Sequence, residues 1–178
     1  LINQAIVYFK NEEGRYKEAG NIKNAVPFLH QDPDSDEILG QCEESGRDQG
    51  HATLCVSLMG AFCQMAYSIG EDLFAFDNYR AVAMAEYVGK YNLIKDEAFN
   101  KGTLVGDDFV YDSNSFPYTS YSNPSYTNTT ISTDQRGTKR PAWELFYGLQ
   151  GKRYIFHLQR EVGRANAPRR RWWKLWTE

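Results

Sequence analysis

Apolar residues recur at helical spacing over much of this chain. Ile2, Ala5, Ile6 and Phe9 stand three and four apart, which predicts a short amphipathic helix over residues 2–10. Residues 11–20 are polar and read as a turn, and residues 24–30 as one further helical turn ended near Asp32-Pro33. Residues 32–37 form an acidic loop, with His30 beside it as a loop histidine. From His51 to about Gly70, the residues Cys55, Leu58, Met59, Phe62, Cys63, Ala66 and Ile69 keep the three-and-four spacing. Leu54 and Met65 widen that stripe, so this helix is expected to be largely buried. Gly70 is its natural stop. Glu71 and Asp72 suit the start of another helix, whose face runs through Phe76, Tyr79, Ala83, Tyr87 and Tyr91. Two long helices with a tight join make an αα-hairpin. Two or three such hairpins predict an all-α chain, either a helical toroid or a bundle.

Residues 92–134 break the pattern. Tyr, Ser and Pro dominate from Phe116 to Tyr126, and a connection this long is usually functional or disordered. Tyrosines among polar neighbours suit sugar stacking and hydroxyl contacts. A loose linker is the equal alternative from composition alone. Pro141 is placed for the first turn of a short helix through Gly148.

A chain of 178 residues, 42% hydrophobic and 24% charged, fits one domain with a real core. The net charge of −3 conceals an asymmetry: residues 136–178 hold 11 of the 20 Lys and Arg but 3 of the 23 Asp and Glu. The basic, tryptophan-bearing segment 149–178 is read as a divergent tail, not a nucleic-acid surface. His157 within it has no assigned role. No apolar run reaches the length of a membrane span, and no membrane partner is expected. Three cysteines, Cys42, Cys55 and Cys63, leave at least one thiol unpaired and define no disulfide framework. A metal site from His51, Cys55 and Cys42 lacks the usual paired spacing, and neither metal nor cofactor is expected. Asn128-Thr129-Thr130 fits a glycosylation acceptor and agrees with a secreted or periplasmic location. The start at Leu1, without a leader, suggests a fragment or a processed chain.

The densest chemistry lies in residues 43–51, Glu43-Glu44-Ser45-Gly46-Arg47-Asp48-Gln49-Gly50-His51, where a polar loop feeds the buried helix. A helix N-terminus offers free backbone N–H groups and a partial positive charge, which suit an anionic ligand. A carboxylate pair, an arginine, an amide and a histidine there could bind a carboxylated substrate and take a proton from it. The plain alternatives are that Ser45 or Asp48 caps the helix and that Arg47 pairs with Glu43 or Glu44.

The octapeptide Glu44 to His51 resembles the signature block of the alginate lyase superfamily, the polysaccharide lyases built as α/α toroids. The resemblance continues through Asp72-Leu73-Phe74, Asp77-Asn78-Tyr79-Arg80, Glu86-Tyr87 and Lys90-Tyr91-Asn92-Leu93. It resumes at Arg136-Gly137, Arg140-Pro141-Ala142-Trp143-Glu144 and Tyr147, spanning residues 1–148. It implies an incomplete all-α, partial α/α toroid with a long tyrosine-rich loop. It also implies β-elimination on an acidic, uronic-acid polysaccharide: loss of the proton at C5, expulsion of the C4 oxygen, an unsaturated sugar left behind. His51 and Tyr121 are the expected base and acid, with Tyr118 and Tyr111 as rivals to Tyr121. Glu44, protonated if buried, would hydrogen-bond the substrate carboxylate. Arg47, Gln49 and Arg140 are the expected substrate-binding residues, although Arg140 could simply pair with Glu144. A glycoside hydrolase using two of Glu43, Glu44, Asp48, Asp107 and Asp108 is the second reading. A non-catalytic glycan-binding remnant is the third.

Overall fold

Helix α4 (Phe76–Asn92) is the element on which the others pack, and its small residues explain why. From Ala81 to Asn92 every residue is buried. Ala81, Ala83 and Ala85 let other backbones approach closely. The computed structural model describes residues 1–11, 21–33, 35–92, 111–123, 126–138 and 140–147. The elements run α1 (Ile2–Lys10), α2 (Ile22–Ala25), β1 (Phe28–Gln31), β2 (Ile38–Gln41), a 3-10 turn (Glu43–Gly46), α3 (Gln49–Tyr67), α4, β3 (Tyr121–Asn123), β4 (Tyr126–Asn128) and α5 (Trp143–Tyr147).

The fold is therefore mixed α/β, which overturns the expected all-α toroid: five helices accompany two separate antiparallel hairpins among the described residues. The first hairpin pairs Phe28 with Gln41 and Gln31 with Ile38. It occupies part of the span read as a helical turn at residues 24–30. The helix there is only Ile22–Ala25, capped by Asn21, whose side chain accepts from Asn24 N–H at 2.9 Å. What pulls the following residues into a sheet is tertiary. Gly40 lies flat on α4, where an added Cβ would sit 2.8 Å from the Met84 backbone nitrogen and 2.7 Å from Val26 Cγ1. The Asp32 carboxylate at the hairpin end forms a buried ion pair with Lys90 of α4. Four-residue strands such as these are too short for alternation to declare itself in the sequence.

The expected helices at residues 2–10 and from His51 onward are present, the second starting at Gln49. Helix α3 stops as Gly70 predicts. Gly70 takes φ +89°, its N–H bonds Tyr67 O at 3.0 Å, and Glu71 N–H bonds Ala66 O at 3.0 Å. The entry to α4 is less regular. Asp77, Asn78 and Tyr79 all lie in the left-handed region, with φ of 50°, 54° and 61°, and right-handed helix resumes at Arg80. Arg80 pairs with Asp77 and donates to Val26 O at 2.8 Å, which holds this turn against the core. The segment 92–134 contributes β3 and β4 where it is described. Pro141 begins a turn that leads into α5. Phe146 and Leu145 of α5 close over Gly60 of α3. The tail at 149–178, Asp107 and Asp108 lie outside the described residues.

Candidate functional site

The 43–51 segment folds as a turn, a cap and a helix start. Asp48 is the N-cap of α3: Oδ1 accepts from His51 N–H at 2.7 Å, and Oδ2 lies 2.6 Å from His51 Nδ1. A carboxylate can only accept, so Nδ1 carries the proton and Nε2 keeps its lone pair. The imidazole is 40% exposed, whereas the Asp48 side chain is 10% exposed. The arrangement is an exposed proton acceptor oriented by a buried carboxylate. Arg47 spans the same carboxylates, NH1 at 3.4 Å from Glu44 Oε2 and Nε at 3.8 Å from Asp48 Oδ2. Capping and ion pairing thus coexist with a free imidazole nitrogen.

The segment is clamped from behind. Gln49 is fully buried. Its Nε2 donates to Ser45 O at 3.1 Å and Ser132 O at 2.9 Å, and its Oε1 accepts from Asn92 at 2.8 Å. Those bonds tie the amide to the loop and place Gln49 behind the site, away from any ligand. Gln49 N–H also reaches Asp134 O at 2.8 Å, and Ser132 N–H reaches Ser45 O at 2.9 Å. Gly50 is required here, because a Cβ would fall on the Gln135 side-chain amide. Arg136 secures the same strip. Its Nε and NH1 donate to Tyr91 O at 2.6 Å and Tyr111 O at 2.7 Å, with the guanidinium 4.0 Å from the Tyr91 ring centre.

From the front the tyrosine-bearing hairpin β3–β4 rests on the 3-10 turn. Asn128 donates its amide to Gly46 O, and the Tyr118 hydroxyl lies against Gly46. Three buried polar atoms at this contact make no hydrogen bond of ordinary geometry among the described residues: Glu43 Oε2, Tyr118 Oη and Tyr126 Oη. Burial, then the neighbouring Glu44 charge, pushes the Glu43 carboxyl up to about 7. Burial is also the main reason that both phenols are held above their ordinary range. Glu44, Cys42, Glu43 and Tyr118 push Tyr126 further up, while the Tyr121 backbone draws Tyr118 back down.

Among the expected residues, Glu44, Arg47, Asp48 and His51 are thus assembled on one turn, and the strand carrying Tyr121 packs on that turn. Tyr121 is partly exposed, its ring edge-on to Phe28 at 6.0 Å. Tyr111 is elsewhere, stacked with Phe116 at 5.2 Å and under Lys90 at 4.9 Å. Arg140 sits just before α5 with its Nε buried, and no bond among the described residues joins it to the 43–51 segment. Glu43 and Tyr126 escaped sequence reasoning as members of a buried group, since only the long-range seating of the hairpin gives them that environment. His30, read as a loop residue, is bonded to Gln41 Oε1 at 2.8 Å and stacked on Tyr87. Among the described residues no group of three or more His, Cys, Asp and Glu is placed to hold a metal ion. No helix there is long and apolar enough to cross a membrane.

No protein-family model, curated protein or solved structure matches this chain.

Proposed function

We propose that this chain acts on a uronic-acid polysaccharide as a β-eliminating lyase. The observation that carries the reading is the His51–Asp48 pair, an exposed imidazole whose protonated nitrogen is fixed at 2.6 Å from a buried carboxylate. The similarity of residues 44–51 to the lyase signature supplies the substrate class. His51 Nε2 takes the C5 proton as general base. Arg47, 40% exposed beside Glu44, meets the sugar carboxylate and stabilises the charge that develops on it. Tyr121 is the proton donor to the departing C4 oxygen. Tyr118 and Tyr126 have buried hydroxyls and are assigned to seating the hairpin.

Incubation with alginate, glucuronan and related uronans tests this through the ultraviolet absorbance of the unsaturated product. His51→Ala and Tyr121→Phe are each expected to abolish turnover while circular dichroism stays unchanged. Full activity in either variant removes that residue from the mechanism. A glycoside hydrolase is the second reading, favoured by the raised Glu43 carboxyl beside Glu44. Reducing ends formed without new absorbance would select it, and no product at all would leave a binding role.

A further inference from the structure

Cys42 and Cys55 stand outside the chemistry described above. Cys42 is the residue that enters the 3-10 turn, and it is fully buried. Cys55 lies on α3 one turn beyond His51, partly exposed. Their side chains are within hydrogen-bond reach of each other, and both belong to the packed core. Cys63 is eight residues along the same helix from Cys55, about 12 Å away, and faces Asp72 at the opposite end. The fold therefore selects one pair from three thiols, a choice that cysteine counting left open.

We propose that Cys42 and Cys55 form a reversible disulfide that staples the 3-10 turn to α3. The reaction needs a low-molecular-weight disulfide as oxidant, with oxidised glutathione as the representative. Cys55, the accessible thiol, attacks first; one glutathione leaves as thiol and the other stays bound to Cys55 through a new S–S bond. Cys42 then attacks the Cys55 sulfur, the second glutathione leaves as thiol, and the protein has lost two hydrogens while the oxidant has gained them. The hydrogen bond to Cys55, together with burial, holds the Cys42 thiol well above its ordinary range, so the second step is the slower one. Once closed, the link tethers the turn carrying Glu43, Glu44 and Arg47 to the helix carrying His51.

The test is equilibration of the full chain with graded ratios of oxidised to reduced glutathione at mildly alkaline pH, alkylation of remaining thiols, digestion and mass analysis. The expected result is joint loss of alkylation at Cys42 and Cys55, a peptide pair joined at those residues, and continued alkylation of Cys63. The Cys63→Ser variant should keep the linked peptide, and addition of excess reduced glutathione should abolish it. In urea the same oxidant should scatter pairing over all three residues. Full alkylation of all three thiols at every ratio, a terminal glutathione adduct on Cys55, or a link through Cys63 would each overturn the proposal. The readout does not depend on turnover, so it stands or falls separately from the lyase reading.

Discussion

Asp48 uses both carboxylate oxygens on one residue, His51, accepting from its backbone N–H and its ring. Asp48→Asn separates these tasks. The amide oxygen still caps the helix, so thermal stability should change by no more than about 0.5 kcal/mol. The amide nitrogen cannot accept from Nδ1–H, so elimination should slow by about 100-fold or more if His51 is the base. Equal activity with normal stability would reduce the pair to a helix cap. Glu43 yields a prediction of opposite character. Its carboxyl moves from 4.5 to about 7 on folding, so between those values the folded chain binds more protons than the unfolded one. Stability therefore falls as pH rises through that window and levels off above it. Because Glu43 is only half-buried, solvent screening reduces the effect to about 1–2 kcal/mol. Denaturant titrations at pH 5 and pH 8 should show this slope, and Glu43→Gln should flatten it. A slope unchanged in the variant would place the titration elsewhere.

At the scale of elements, two glycines separate steric need from conformational need. Gly46 meets the Tyr118 hydroxyl and Asn128, so Gly46→Ala should lift the β3–β4 hairpin off the turn and cost about 1–3 kcal/mol. At Gly70 a Cβ would meet nothing within 4 Å, but the residue takes φ +89°, so Gly70→Ala should cost about 1 kcal/mol through backbone strain alone. Tyrosine fluorescence should register the first change and leave the second silent. The helices were legible because their apolar residues repeat over several turns. The strands were not: β1 and β2 are four residues each, and their contacts with α4 and Val26 are made across long sequence separations. The same limit hid Tyr126, whereas residues 44–51 disclosed their chemistry because cap, histidine and arginine are neighbours in sequence. Gln49 looked like a ligand residue for the same local reason, and only the approach of Asn92 and Ser132 shows where its amide goes.

Across the whole molecule, the Lys90–Asp32 pair joins the first hairpin to α4, with the Lys90 side chain 4% and the Asp32 side chain 0% exposed. Lys90→Met alone leaves a buried carboxylate without its cation and should cost about 3–5 kcal/mol in a denaturation experiment. Adding Asp32→Asn should recover part of that loss, since no lone charge stays inside. An unchanged double variant would show that the pair itself, not its desolvation, dominates. The left-handed turn at Asp77–Tyr79 has a bearing on how this pair is reached. It acts as a swivel, uncoupling the angular phase of α4 from the chain that precedes it. An alanine inserted after Gly70 need not rotate α4, because the swivel can absorb the extra residue. The same insertion between Ala83 and Met84 turns everything downstream by about 100°, swinging the ammonium away from its carboxylate and the tail end of the helix away from Gln49.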